Sequence, residues 1–290
     1  MGATAFIELR DGFKVTGTYL NHPITLPDCQ SARLDLTDKR AVTDFLNENR
    51  PDIILHTAAA VNVDECESNR DLAYRSNVVA TETLAEYVEK HEKKLIYIST
   101  DAFFDGKDKL FSEEDTPTPM NYYGESKLLG ELIVRKRCED HLIVRTNLYG
   151  WNYQNKFSLA EWMLSNITAK KKIPLVYDVH YTPILTNSVV DCLRLLIDRA
   201  AQGTFHIAGS RSISKLEFGH LLCKTFDLST EYIVPSSVKD LHLKAPRSSN
   251  MALSIEKLKR ALPELKFSLE NDLQRFKGKP CVEAFRTIKH

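Results

Sequence analysis

Tyr123 and Lys127 stand in the run NYYGESKLLGE with three residues between them, in a stretch whose pattern predicts the first turns of a helix. Residues four apart on a helix share a face, so the phenol and the ammonium are expected to open onto one cleft. Upstream, the apolar run KLIYIST closes on Ser99 and Thr100, which places hydroxyls at the end of a strand. A phenol ordinarily titrates near ~10. A cation about 4 Å away contributes on the order of 4 kcal/mol at an effective dielectric near 20, or roughly three pKa units toward neutrality. The expected chemistry is proton traffic at a carbonyl oxygen: Tyr123 as general acid, Lys127 as the charge that acidifies it, and Thr100 as the hydroxyl that holds the oxygen. Tyr and Lys at this spacing also occur by chance on amphipathic helices. It is the strand-ending hydroxyl pair that turns the spacing into a catalytic expectation.

The elements that must position these groups alternate. Residues 13–19 (FKVTGTY) are strand-like and 39–49 helical. Residues 52–57 (DIILHT) form an unpatterned apolar run, as a buried parallel strand does. A long helix is expected over 72–91, a strand over 94–99, the helix of the Tyr–Lys pair over 122–138 and a strand over 141–146 (HLIVRT). Such alternation predicts an α/β fold with a doubly wound parallel, Rossmann-type sheet. Past Gly150 the pattern loosens: helix over 151–169, strand over 173–177, turn at 181–183, helix over 187–200, strand over 203–207, then helices over 214–226 and 254–262. The expected division is a dinucleotide-binding domain of residues 1–148 plus 184–209 and a smaller substrate domain of 149–183 plus 210–290. The cleft between them lies at the carboxyl ends of the strands.

With 290 residues, 43% hydrophobic, the chain has ample material for a buried core. Its 39 basic residues balance its 39 acidic ones, which argues against nucleic-acid or membrane-surface binding. No apolar run reaches membrane-spanning length, and residues 1–10 lack the apolar core of a signal peptide. Six cysteines, at 29, 66, 138, 192, 223 and 281, include no C-x-x-C pair. They read as reduced thiols of a cytoplasmic protein. The nine histidines show no ligand spacing, so no metal site is expected. Trp162, Met163 and Ile167 read as core residues. A homodimer is the commonest assembly for such a chain.

Four segments resemble the extended, nucleotide-sugar-modifying branch of the short-chain dehydrogenase/reductase superfamily, and within it the dTDP-4-dehydrorhamnose reductase family. They are HTAAAVNVDECESNRDLAYRSN, ISTDAFFDG, NYYGESKLLGE, and GTFHIAG followed by KAPRSSNMALSIEKL. The resemblance implies NADPH or NADH as cofactor and a nucleotide-linked sugar as substrate. It implies that Gly2, Asp35, Leu36, Ala58, Ala59, Ala60 and Asn77 border the cofactor. Ala58–Ala60 equally suit a tight strand-to-helix turn, and Asp35 equally suits a helix cap. Lys127 would also hold the nicotinamide ribose. Asp178, the turn at Thr182 and Pro183, and Arg247 would face the sugar nucleotide. Arg247 suits phosphate pairing but also suits a surface position.

The sequence departs from that family in three places. Met1 is followed at once by GATAFI, which looks like the phosphate-binding turn and helix start, with no strand before it and Ala5 where a glycine belongs. Residues 1–12 are too few for a strand and a helix together, so the sheet is expected to lack its first strand and cofactor affinity to be weak. Ala102 and Leu148 stand where these reductases tend to carry Tyr and Trp, with Trp151 nearby to replace the latter; this puts the rhamnose precursor itself in question. No carboxylate closes the second strand, which favours NADPH. Two classes of function remain open: an NAD(P)H-dependent reductase, or an epimerase using the same trio; and a non-catalytic subunit similar to the regulatory beta subunit of methionine adenosyltransferase. Ala102, where a Glu would be expected, disfavours a dehydratase.

Overall fold

The computed structural model describes residues 1–23, 30–104, 106, 109–153 and 157–278. A short helix, α1 (Gly2–Glu8), leads into β1 (Thr16–Tyr19), β2 (Gln30–Arg33), α2 (Lys39–Asn49) and β3 (Ile53–His56). The helix expected over 72–91 arrives in pieces. After α3 (Val63–Ser68), α4 (Arg70–Tyr74) runs through a π-turn at Arg75–Val79 into α5 (Ala80–His91). Then follow β4 (Lys94–Ile98), α6 (Tyr122–Arg137), β5 (His141–Arg145) and β6 (Leu148–Tyr149). The remaining elements are α7 (Leu159–Thr168), β7 (Ile173–Val176), β8 (His180–Tyr181), β9 (Ile184–Leu185), α8 (Thr186–Asp198), β10 (Gly203–His206), β11 (Ile213–Ser214), α9 (Lys215–Phe226), β12 (Ile233–Ser236), α10 (Glu256–Ala261) and α11 (Leu269–Gly278).

The central sheet is parallel, in the order β10-β5-β4-β3. Every residue of β4 is buried, as its unbroken apolar run requires. Its side chains divide between two layers. Ile96 and Ile98 join the cluster packed on α8 and β10, whereas Leu95 and Tyr97 join the one packed on α2, α5 and α6. A second lobe has its own core, built from Tyr149, Met163, Leu175, Tyr181, Phe218, Leu222 and Phe276. The lobes divide differently from the expected boundary: Leu253, Ile255, Leu258 and Leu262 pack into the first lobe's core, because α10 lies against β10. Cys66, Cys138, Cys192 and Cys223 are buried free thiols; Cys29 and Cys281 lie outside the described residues. No helix among the described residues is long and apolar enough to cross a membrane.

The sheet is broken where the sequence predicts a missing strand. Among the described residues β1 pairs only with β2, and β3 only with β4. In the doubly wound order a further strand stands between them. Helix α1 spans the break instead. Its Phe6 ring abuts Gly17, where an added Cβ would meet the ring at 3.2 Å. Its Ala5 and Leu9 form a small cluster with Val190, Val15 and Leu55. That is side-chain contact without a backbone ladder, so β1 and β3 each keep an open edge. Hydrogen–deuterium exchange should show it: amides of Thr18 and Tyr19 should exchange faster than those of Tyr97 and Ile98 by about two orders of magnitude or more.

Helix α6 is pinned to the sheet by a buried ion pair. Arg145, 1% exposed, donates through Nε and Nη2 to Glu131 at 3.0 and 2.8 Å. Its Nη1 lies 3.4 Å from Nε2 of the buried His206. Removing one partner leaves an uncompensated buried charge. Glu131→Ala should therefore lower stability by about 3–5 kcal/mol in urea titrations.

Candidate active site

β4 ends because the chain turns on its own side chain: Thr100 Oγ1 accepts the Ala102 N–H at 3.1 Å, a short-range turn typical of Thr. The first turn of α6 then rests on that turn. Asn121 caps the helix by accepting the Gly124 N–H at 3.0 Å. Gly124 is required there, since an added Cβ would sit 2.7 Å from the Ala102 carbonyl oxygen. This close approach brings the Tyr123 phenol near the Thr100 hydroxyl, which opposes the upward shift of the phenol.

Lys127 occupies the same region but does not act as expected. It is 2% exposed; its Nζ donates to the Ile98 carbonyl at 2.9 Å and lies 4.0 Å from the centre of the Tyr97 ring. Burial pushes the Tyr123 phenol up to about 12, against the opposing pull of the Thr100 hydrogen bond. Burial pushes the Lys127 ammonium down to about 7, partly offset by Glu131. The expectation of a phenol acidified by its neighbour is corrected on physical grounds: a site this dry disfavours both charged forms, and the ammonium is spent on a carbonyl and an aromatic face. A phenol that keeps its proton at neutral pH can still donate it to an alkoxide, a far stronger base.

The cofactor-side residues form one bracket. Asn77 sits within the π-turn, an interruption of regular helix often found at functional sites. It accepts the Ala60 N–H at 2.8 Å through Oδ1 and donates through Nδ2 to the Ala60 carbonyl at 3.0 Å and to Ser126 Oγ at 2.9 Å. The loop after β3 is thereby tied to α6, with Ala58 exposed and Ala59 and Ala60 half-buried. Gly2 opens α1, where an added Cβ would stand 2.7 Å from Thr57 Oγ1. Its small size thus serves the approach of α1 to β3. Asp35 is not the cap of α2; it accepts from the Thr37 amide at 2.8 Å and hydroxyl at 2.7 Å, and Asp38 caps the helix. Leu36 packs beside the cluster around α2.

On the other side lies a cavity of ≈160 Å³ lined by Leu159, Trp162, Val176, Leu241, Lys215 and Arg247 among others. Arg247 stands in the wall of this cavity and pairs with Asp64. Asp178 supports the cavity wall from behind: it accepts from Ser237 Oγ at 2.5 Å and from the Val238 amide at 2.9 Å. Trp151 is a correction. Its indole N–H donates to the Phe276 carbonyl at 3.0 Å and its ring lies 4.4 Å from that of Phe276. The aromatic core of the second lobe absorbs it, so it is not placed to pack on a sugar. Trp162, expected in the core, packs against the second lobe's core and also borders the cavity.

Sequence reasoning assigned no site role to Asp101, Asn147 or Lys215. Asp101, 2% exposed, accepts from Asn147 Nδ2 at 2.7 Å; burial pushes its carboxyl up to about 6. Its place directly after Thr100 was an available signal. Lys215, at the start of α9, faces it electrostatically, and burial and Arg247 both push its ammonium down. No local pattern marks Lys215.

The buried ammonium has a measurable signature. A Lys that binds its proton more weakly folded than unfolded makes the unfolded chain the better proton acceptor between about pH 7 and the ordinary Lys value. Stability attributable to Lys127 should then rise with pH over that window, by at most about 1.4 kcal/mol per pH unit. Chemical denaturation of wild type and Lys127→Met from pH 7 to 9.5 should show the wild type gaining relative to the variant.

Comparison with known proteins places this geometry. The model of the RmlD substrate binding domain matches residues 12–277. The probable low-salt glycan biosynthesis reductase of Haloferax volcanii is 32% identical, over 94% of this chain and 92% of its own. The methionine adenosyltransferase 2 subunit beta of Danio rerio is 29% identical, over 78% of this chain and 72% of its own. The structure of dTDP-4-dehydrorhamnose reductase from Bacillus anthracis, in complex with NADP, superposes with a TM-score of 0.80 at 28% identity, over 90% of this chain and 97% of that one. The chain accordingly belongs to the RmlD substrate-binding domain family.

Proposed function

We propose that this chain is an NAD(P)H-dependent reductase of a nucleotide-linked keto-sugar. The observation that carries this reading is the Tyr123 phenol standing close to the Thr100 hydroxyl at the carboxyl end of β4, in a fold whose cavity has two cationic lining residues. A ketone oxygen received between the two hydroxyls is held by Thr100 and protonated by Tyr123 as charge develops on it. Lys127, held on the Ile98 carbonyl and over the Tyr97 ring, braces the base of the site. In the cavity, Trp162 and the aliphatic side chains suit a nucleobase, and Arg247 with Lys215 suits a diphosphate.

The cofactor side fits a dinucleotide. Ala58–Ala60 present little side chain at the end of β3, and Asn77 fixes their backbone. The dinucleotide supplies the hydride when bound. After β1 the chain continues as Leu20 and Asn21 with no carboxylate, and Asp35 is committed to Thr37. Both facts favour NADPH over NADH. A second reading, a binding subunit on the same fold, is favoured by the 29% identity to methionine adenosyltransferase 2 subunit beta of Danio rerio.

Steady-state NADPH oxidation with a panel of nucleotide keto-sugars separates the two. The reductase reading expects turnover, with Tyr123→Phe lowering kcat by about 100-fold or more. Folded wild-type chain that binds these ligands without turnover supports the binding subunit, and interconversion of sugar epimers without net NADPH consumption supports an epimerase. The dTDP-linked rhamnose precursor belongs in the panel as one candidate among several.

A further inference from the structure

A strap crosses the mouth of the cleft. Residues 245–247 come from beyond the second lobe's β12 and lie against the first turns of two helices of the first lobe. Asp64, in the first turn of α3, accepts the Ala245 N–H at 2.9 Å through Oδ1, and the same oxygen lies 3.1 Å from Arg247 Nη2. Asn121, the cap of α6, donates through Nδ2 to the Pro246 carbonyl at 3.0 Å. Arg247 Nη1 turns back on the Ala245 carbonyl at 2.7 Å, which fixes the guanidinium plane. That guanidinium also borders the cavity. Helix α3 is itself the continuation of the loop that carries Ala58–Ala60. One carboxylate therefore joins the cationic lip of the cavity to the helix behind the cofactor loop.

We propose that Asp64 is a positioning residue that couples the two ligand sites. The inference rests on the assignment of the cavity to the nucleotide-linked substrate and of the alanine loop to the cofactor. A guanidinium has five N–H donors, so an anion can bind Arg247 while the bond to Asp64 persists. Holding the strap orients the remaining donors and steadies α3 together. Whichever ligand orders the strap first leaves less ordering for the second, which is positive coupling. The Ala245 amide and Arg247 pull the Asp64 carboxyl below its ordinary value despite some burial, so the latch stays charged through neutral pH.

The test uses the full chain, NADPH fluorescence titrations with and without saturating dTDP, and exchange measurements on the free protein. Wild type should bind NADPH at least about fivefold more tightly with dTDP present. Asp64→Ala should bring that ratio to near one at unchanged far-UV circular dichroism. Asp64→Asn, which keeps the acceptor for Ala245 but loses the charge, should fall between. In the free protein, Asp64→Ala should speed exchange at the Ala245 amide and in the first turn of α3. A ratio unaffected by Asp64→Ala, wild type that binds both ligands without coupling, or unchanged exchange at Ala245 overturns the proposal. Failure of dTDP to bind wild type, with exchange at Ala245 still dependent on Asp64, overturns instead the assignment of the cavity to a nucleotide.

Discussion

The site depends on how closely the first turn of α6 seats on the end of β4. Gly124 touches the Ala102 carbonyl, Asn121 caps the helix and holds the strap, and farther along the helix Glu131 grips Arg145 of β5. Those three attachments bury Lys127 to 2% exposure. Lys127 must then satisfy its ammonium on a backbone carbonyl and an aromatic face. Tyr123 stands near the Thr100 hydroxyl. Desolvation is the dominant electrostatic influence on both, outweighing the attraction between them that spacing alone would suggest.

The same seating explains how a chain with a ruptured sheet keeps an organised site. The strands that carry Thr100 and the alanine loop, β4 and β3, lie on the intact side of the break. Asn77 ties that loop to α6 through Ser126 rather than through the sheet. The half of a dinucleotide cleft formed by β1 and β2 is attached mainly through the side chains of α1.

Much of the fold was legible because it rests on local pattern. The apolar run of β4, the hydroxyls that end it, the helix of Tyr123 and Lys127, and even the gap before β1 follow from periodicity and spacing. Trp151 was misread because nothing local distinguishes an aromatic ring that faces a ligand from one that Phe226 and Phe276 enclose. Lys215 and Asp64 were invisible for the complementary reason: their partners lie far away in sequence, and only tertiary packing brings them to the cleft. The ionisation of the Tyr–Lys pair could not be read from spacing, because four residues on a helix fix a shared face but not how much water remains there. The domain boundary failed at α10, whose apolar face chose β10 over the nearer second lobe.

The central claim is that the half-buried Tyr123 phenol is a protonated donor, not one acidified by its neighbouring lysine. Carbon-13 labelling at the tyrosine ring, with Tyr123 assigned by comparison with Tyr123→Phe, reports its ionisation directly. The account predicts that the Tyr123 resonance of the free protein stays at its neutral position from pH 6 to pH 10, in line with a value pushed up to about 12. A titration step centred between pH 7 and 8 would show that Lys127 controls the phenol after all, and would contradict it.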